Sequence, residues 1–214
     1  MLFIYRIIIN LIVLISPIII FIRLFKKKED SIRFKEKFCF FSKKRVRGNL
    51  IWLHGASVGE ILSVIPLIEK LEKRKDIKQI LITSNTLSSS KIISKLKFKK
   101  TIHQFFPIDS NYHAQKFLNY WRPSSATFID SEIWPNMLTN IKKKSIKLIL
   151  LNGRITKKSF KRWKRFGSTA KKLFQKFDLC LASSAETVKY LKSLGAKKIK
   201  YIGNLKFSQI ENET

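Results

Sequence analysis

The chain has 214 residues, with 44 lysines and arginines against 14 acids, a formal net charge of +30. Hydrophobic residues make up 45% and aromatics 12%, which excludes intrinsic disorder, and only 7 glycines and 5 prolines exclude collagen-like and low-complexity architectures. The length suits one large domain or two small ones and is short for a two-domain doubly wound enzyme. Cys39 and Cys180 form no C-x-x-C pair, so a disulfide scaffold or structural zinc site is not expected and a reducing cytosol fits best. The positive charge has three readings. Its lysines are scattered along the chain, as compositional drift would leave them; they also suit an anionic membrane surface, or nucleic acid.

The first element is apolar. Residues 7–22 contain no ionisable side chain, are interrupted only by Asn10, Ser16 and Pro17, and are bounded by Arg6 and Arg23. Such a helix spans about 24 Å, somewhat less than a hydrocarbon core of about 30 Å, and Arg6 would extend it by snorkelling. Lys26, Lys27, Lys28, Arg33, Lys35 and Lys37 follow, which by the positive-inside rule puts the downstream chain in the cytoplasm and supplies a flank for anionic lipid. No small-x-small cleavage site follows, so a retained anchor is expected over residues 1–25, spanning the bilayer or lying in its interface. Residues 26–48 form a basic juxtamembrane segment.

From Asn49 onward, strand and helix patterns alternate. Strands are expected at 51–54, 79–83, 102–106, 126–129, 146–151, 179–182 and 200–202. Helices are expected at 60–74, kinked at Pro66, and at 88–96, 113–120, 135–143, 158–177 and 185–194. This pattern implies an α/β fold, a Rossmann-like parallel sheet with helices on both faces, over residues 49–214.

Chemistry in such sheets gathers at the carboxyl ends of the strands. His54-Gly55-Ala56-Ser57-Val58-Gly59-Glu60 follows the first strand. It has neither the G-x-G-x-x-G spacing nor a P-loop lysine, so no nucleotide cofactor is indicated. Ser57 and Glu60 have capping-box spacing, and Glu60 equally suits a general base at the mouth of the sheet; spacing alone does not choose between them. Asp130-Ser131-Glu132-Ile133-Trp134-Pro135-Asn136 follows the fourth strand. It is either an ordinary helix start with acids favoured by the dipole or a binding constellation. Asn152-Gly153-Arg154 follows the fifth, as a turn or as the mount for an arginine clamping an anion. His103 and His113 have no metal-ligand spacing and are read as structural; no metal is expected.

Taken in order, H-G-A-S-V-G-E, F-P-I-D, D-S-E-I-W-P-N, N-G-R and G-N-L-K-F resemble the N-terminal half of the 3-deoxy-D-manno-octulosonic acid (Kdo) transferases. Lys28-Glu29-Asp30, with Arg33 and Glu36, resembles that family's opening. The resemblance covers essentially the whole chain and implies the N-terminal, acceptor-binding domain of a GT-B glycosyltransferase. Such enzymes move Kdo from CMP-Kdo onto the lipid A precursor in lipopolysaccharide biosynthesis, with inversion, at the cytoplasmic face of the inner membrane. It implies Glu60 as general base, with Asp130 and Lys206 stabilising the transition state. Ser57, Gly59, Glu132, Trp134, Asn136 and Arg154 are the implied substrate-binding residues. Asp130 departs from the family, which has Glu there. The C-terminal donor-binding domain that holds most CMP contacts is expected to be absent, since the chain runs only to Thr214. The alternatives are a non-catalytic, membrane-bound half-protein that binds lipid A precursor and, last, a nucleic-acid binder, for which no RRM, KH or helix-turn-helix pattern is found.

Overall fold

The computed structural model describes residues 2–205. Helix α1 (Leu2–Phe25) is followed by a 3₁₀ turn (Arg33–Phe38). The body then runs β1 (Leu50–His54), α2 (Val58–Leu62), α3 (Ile65–Glu72), β2 (Gln79–Ser84), α4 (Leu87–Lys95), β3 (Thr101–Phe105), α5 (Asn111–Trp121) and β4 (Ser125–Ile129). It continues with α6 (Pro135–Lys143), β5 (Lys147–Gly153), α7 (Lys157–Arg165), α8 (Gly167–Phe174), β6 (Leu179–Ala182), α9 (Ala185–Ser193) and β7 (Ile199–Tyr201).

All seven strands are parallel, in the order β3-β2-β1-β4-β5-β6-β7. Neighbouring side chains along a strand point to opposite faces, and the buried sequence obeys that period of two. Trp52, Leu81, Phe128 and Leu150 enter one core with Phe117, Trp121, Met137 and Phe174 of α5, α6 and α8. Leu53, Ile80, Ile82, Ile129 and Leu151 enter the other with Ile61, Ile68 and Ile93 of α2, α3 and α4. Helix starts are capped locally: the hydroxyls of Ser57, Thr86, Ser110, Thr156 and Ser184 each accept the amide three residues on.

Two expected helices are each divided. The 60–74 helix breaks at Ser63–Val64, and Pro66 lies in the first turn of α3, where its missing N–H leaves no bond unmade. The 158–177 helix breaks at Phe166–Gly167, where Gly167 has φ +46°, a conformation that costs glycine little. The fifth strand extends to Gly153 and so takes in Asn152.

Residues beyond α1 fold against the sheet edge. Glu36 is buried and accepts Nε of Arg33 at 2.9 Å and the amide of Phe105 in β3 at 2.8 Å. Arg33 also reaches Ser90 in α4 and the carbonyl of His103. Phe41 stacks on Tyr120 at 3.8 Å.

Helix α1 has the length and composition to cross a membrane, with a mean hydropathy of 2.7. It does not project from the domain. Tyr5, Ile9, Val13, Ser16, Ile20 and Arg23 are buried or half-buried, one every third or fourth residue, which is a single helical stripe. Polar contacts hold both ends: Tyr5 and Arg6 bond to Asp109 and Asn136, and Arg23 bonds to Glu29, which also holds Lys37. A 24-residue helix is about 36 Å long, so α1 lies along the domain with the rest of its apolar surface exposed.

Candidate functional site

The strand order reverses direction at β1 and β4: from β1 the chain proceeds outward through β2 and β3, and from β4 through β5 to β7. Loops leaving adjacent strands at such a point diverge and open a crevice where ligands bind. The two motif-bearing loops, 55–57 after β1 and 130–134 after β4, flank it.

Gly55 sets the first wall. A Cβ at that position would lie 3.1 Å from the Glu60 Cβ, 3.1 Å from Ile61 Cδ1 and 3.3 Å from Ile129 Cδ1. Glycine therefore lets the start of α2 settle directly on the end of β4 and carries Glu60 to the crevice. There Ser57 Oγ caps the Glu60 amide, while the Glu60 carboxylate accepts from Ser57 Oγ at 2.8 Å and from the Ala56 amide at 2.7 Å. The return bond of this capping motif goes to the amide of Ala56, one residue before the N-cap Ser57. The same carboxyl group is held above its ordinary pKa, chiefly by burial, with the charges of Glu132 and Asp130 pushing the same way and the Ser57 and Ala56 bonds opposing. The position of this carboxyl group and its raised pKa suit a base, and the bonds from Ser57 and Ala56 orient it.

Glu132 is fixed from two sides. Its Oε2 accepts the indole N–H of Trp134 at 2.7 Å and lies 3.3 Å from Nε2 of His54. His54 is wholly buried at the end of β1, bonded through Nδ1 to Thr83 Oγ1 at 2.9 Å and stacked on Phe106 at 3.9 Å. With one ring nitrogen held by Thr83, the other is directed at Glu132. Asp130, buried, takes a left-handed backbone conformation (φ +57°) and accepts the Asn152 amide group at 2.6 Å. Asn152 is itself left-handed (φ +53°), and its side-chain oxygen accepts the Leu205 amide at 3.1 Å. Two non-glycine residues in that region mark a backbone held by its surroundings. Lys206 lies outside the described residues.

Glu60, Glu132, Asp130, Ser57, Gly59 and Trp134 therefore come together at one edge of the sheet. Arg154 is exposed beside them, its amide bonded to the Asp130 carbonyl, and it makes no ion pair among the described residues. Asn136 is placed differently. It is fully buried, its NH₂ bonded to the Asp109 carbonyl and its oxygen accepting from Arg6, so its side chain holds the loop and does not face the crevice.

Sequence reading passed over His54 and Asp109 as individual residues. A histidine closing a buried strand just before the motif glycine was a usable signal for the first. Asp109 had one too, as the acid of F-P-I-D. Trp134 precedes α6 and offers no side-chain cap; Asp109, 27 and 28 residues earlier than its partners, accepts the amides of Asn136 at 3.0 Å and Met137 at 2.7 Å. Burial pushes its carboxyl pKa up to about 7, against the lowering effect of its hydrogen bonds from Tyr5, Asn136 and Met137. Among the described residues there is no cluster of three His, Cys, Asp or Glu side chains that could hold a metal ion.

A seven-stranded parallel sheet with the motif-bearing loops at its switch point defines a Rossmann-like domain of the kind that forms half of a GT-B protein. Solved UDP-GlcNAc 2-epimerases share it: the Neisseria meningitidis structure matches with a TM-score of 0.55 over 77% of this chain and 50% of that one. At 12% identity, that likeness shows the fold alone. Sequence relatives are more specific. The 3-deoxy-D-manno-octulosonic acid transferase of Rickettsia bellii is 36% identical over 191 residues, 89% of this chain and 46% of that protein. The Rickettsia felis transferase is 38% identical over 75% of this chain and 34% of its own length. A probable mitochondrial transferase of Arabidopsis thaliana is 35% identical over 75% and 37%. The family model described as 3-deoxy-D-manno-octulosonic-acid transferase (kdotransferase) matches residues 32–209. The chain belongs to the Kdo transferase family, and it spans less than half the length of these relatives.

Proposed function

We propose that the chain supplies the acceptor-side half of a glycosyltransferase that moves Kdo from CMP-Kdo onto the lipid A precursor in lipopolysaccharide biosynthesis. The observation that carries this reading is the carboxylate of Glu60, oriented by its own capping motif at the switch point and raised in pKa by burial and two neighbouring acids. A base with that disposition takes the proton of an acceptor hydroxyl as the oxygen forms its bond to the anomeric carbon of Kdo. The bond from that carbon to the cytidylate phosphate breaks on the opposite face, which inverts the configuration. Asp130 and Lys206 stabilise the transition state, and Arg154 offers an exposed cation to the anionic groups of either substrate. Ser57, Gly59, Glu132 and Trp134 form the acceptor wall, and Asn136 positions it. The CMP contacts belong to the half of the relatives that this chain does not span. Helix α1 holds the domain on the anionic, cytoplasmic face of the inner membrane.

The test is a transfer assay with labelled CMP-Kdo and lipid A precursor. It compares this chain alone with this chain paired with a polypeptide carrying the relatives' remaining half. Kdo-modified lipid is expected only from the pair. A folded pair that yields none would overturn the reading, and product from the chain alone would refute the need for a separate donor half.

A further inference from the structure

A cavity of about 460 Å³ lies beside the crevice, between the first turns of α1, the loop 131–135, and helices α7 and α8. Its volume is in the range of about 300–1,000 Å³ typical of ligand sites; Glu132 and Trp134 of the acceptor wall line one part of it, and the rest has no role assigned above. The walls are apolar: Ile8 from α1, Ile133 and Trp134 from the loop, Trp163 from α7, Leu173 from α8, and Phe166 from the break between those two helices. Glu132, the acid already fixed by Trp134 and His54, also lines it. Ile4 and Ile8 line it too and are each about half exposed, so the cavity borders the exposed apolar flank of α1. From α7, Arg162 lines the cavity; the helix also carries exposed Lys157, Lys158, Lys161, Lys164 and Arg165, has no acidic residue and buries no side chain. None of these six cations enters an ion pair among the described residues.

We infer that this cavity is a slot for one acyl chain of the phosphorylated lipid acceptor, with the lipid's anionic head group lying against α7. Three features select that occupant. The cavity borders the membrane-compatible face of α1, so a chain enters from the bilayer without crossing water. The walls have few groups to pair a peptide backbone, whose unmet donors and acceptors would make a peptide costly to bury. The charge of α7 complements phosphate. The slot adds little hydrophobic free energy for a chain leaving lipid, which is equally apolar. Its effect is positional: it fixes where the sugar hydroxyl stands relative to Glu132 and Glu60. The inference rests on the acceptor-side reading, and it names the part of the acceptor that the site grips.

The test uses a phosphorylated glucosamine disaccharide bearing a diazirine-tagged acyl chain, in phosphatidylglycerol vesicles, with the full chain and no CMP-Kdo. Photolabel is expected on residues 131–135 and 162–173. Thr169→Trp, which fills the slot, should lower that labelling about tenfold, equivalent to about 1.4 kcal/mol, while Thr169→Ser leaves it unchanged. On the unsubstituted protein, an untagged acylated disaccharide should compete and the deacylated one should not. Labelling confined to the outer flank of α1, or equal competition by the deacylated sugar, would overturn the slot. Because no sugar is transferred, the two readings fail separately. Slot labelling without any Kdo transfer in the paired assay would sink the transferase reading alone, and transfer with label only on α1 would sink the slot alone.

Discussion

Replacing Asp109 probes how α1, α6 and the acidic loop are joined. Its Oδ1 accepts the Met137 amide, and its Oδ2 accepts both the Asn136 amide and the Tyr5 hydroxyl, all within a site where Asp109 is 2% exposed. Asp109→Asn keeps the shape and one oxygen but turns an NH₂ toward donors. It can donate to Tyr5 and still accept Met137, which leaves the Asn136 amide without a partner. One orphaned buried amide costs about 1–3 kcal/mol. Asp109→Ala orphans both amides and opens a cavity, for a loss of about 3–5 kcal/mol. Tyr5→Phe removes only the link to α1, worth about 1 kcal/mol. The pH dependence has a definite sign. With a folded pKa of about 7 against about 3.9 unfolded, the folded state binds the proton more tightly. This contribution to stability is complete below pH about 4 and is lost as pH rises through about 7, and Asp109→Asn should lack that decline. Urea unfolding followed by circular dichroism from pH 4 to 8.5 measures all of this. If Asn and Ala variants both unfold within about 0.5 kcal/mol of the unsubstituted protein, Asp109 does not cap α6 and the reasoning fails.

Other substitutions test neighbouring parts of the account. Gly55→Ala puts a methyl group 3.1 Å from both Glu60 Cβ and Ile61 Cδ1; it should cost about 1–3 kcal/mol in thermal unfolding and reduce transfer further by displacing Glu60. Glu36→Ala strands Arg33 and the Phe105 amide in a buried site and should cost about 3–5 kcal/mol, whereas replacing exposed Asp76, paired with Arg74, should change unfolding by less than about 0.5 kcal/mol. Burial pushes the thiols of Cys39 and Cys180 up to about 12, so a maleimide should label neither in the folded protein and both after denaturation. Fast labelling of either without unfolding would contradict the core described above.

Much of this architecture could be read from residue order. Alternating apolar strands and amphipathic helices specified a parallel sheet, and the motif loops fell at the carboxyl ends of β1, β4 and β5 because glycine, proline and acids interrupt the apolar pattern there. Helix continuity was less legible. Pro66 was expected to kink one helix, but it begins another, and Gly167 divides what hydrophobic spacing alone presents as one long helix. Contacts across the chain left the weakest trace. The bond between His54 and Glu132 joins residues 78 apart, and Asp109 caps a helix whose own N-cap, Trp134, has no oxygen to offer. Local spacing also left the role of Glu60 open between cap and base. The geometry accommodates both, since a capping carboxylate is a positioned one.

The measurement closest to the central claim is the effect of Glu60→Gln on Kdo transfer by the paired halves. Gln keeps an oxygen for the Ala56 amide or Ser57 hydroxyl but cannot take a proton. Unfolding should therefore shift by only about 1 kcal/mol, while transfer falls about 10²–10⁴-fold. The unsubstituted pair should gain activity as pH rises through the elevated Glu60 pKa, and the residual Gln activity should show no such rise. A Glu60→Gln pair that folds, binds the lipid acceptor and transfers Kdo within about twofold of the unsubstituted rate would contradict the assignment of Glu60 as the base.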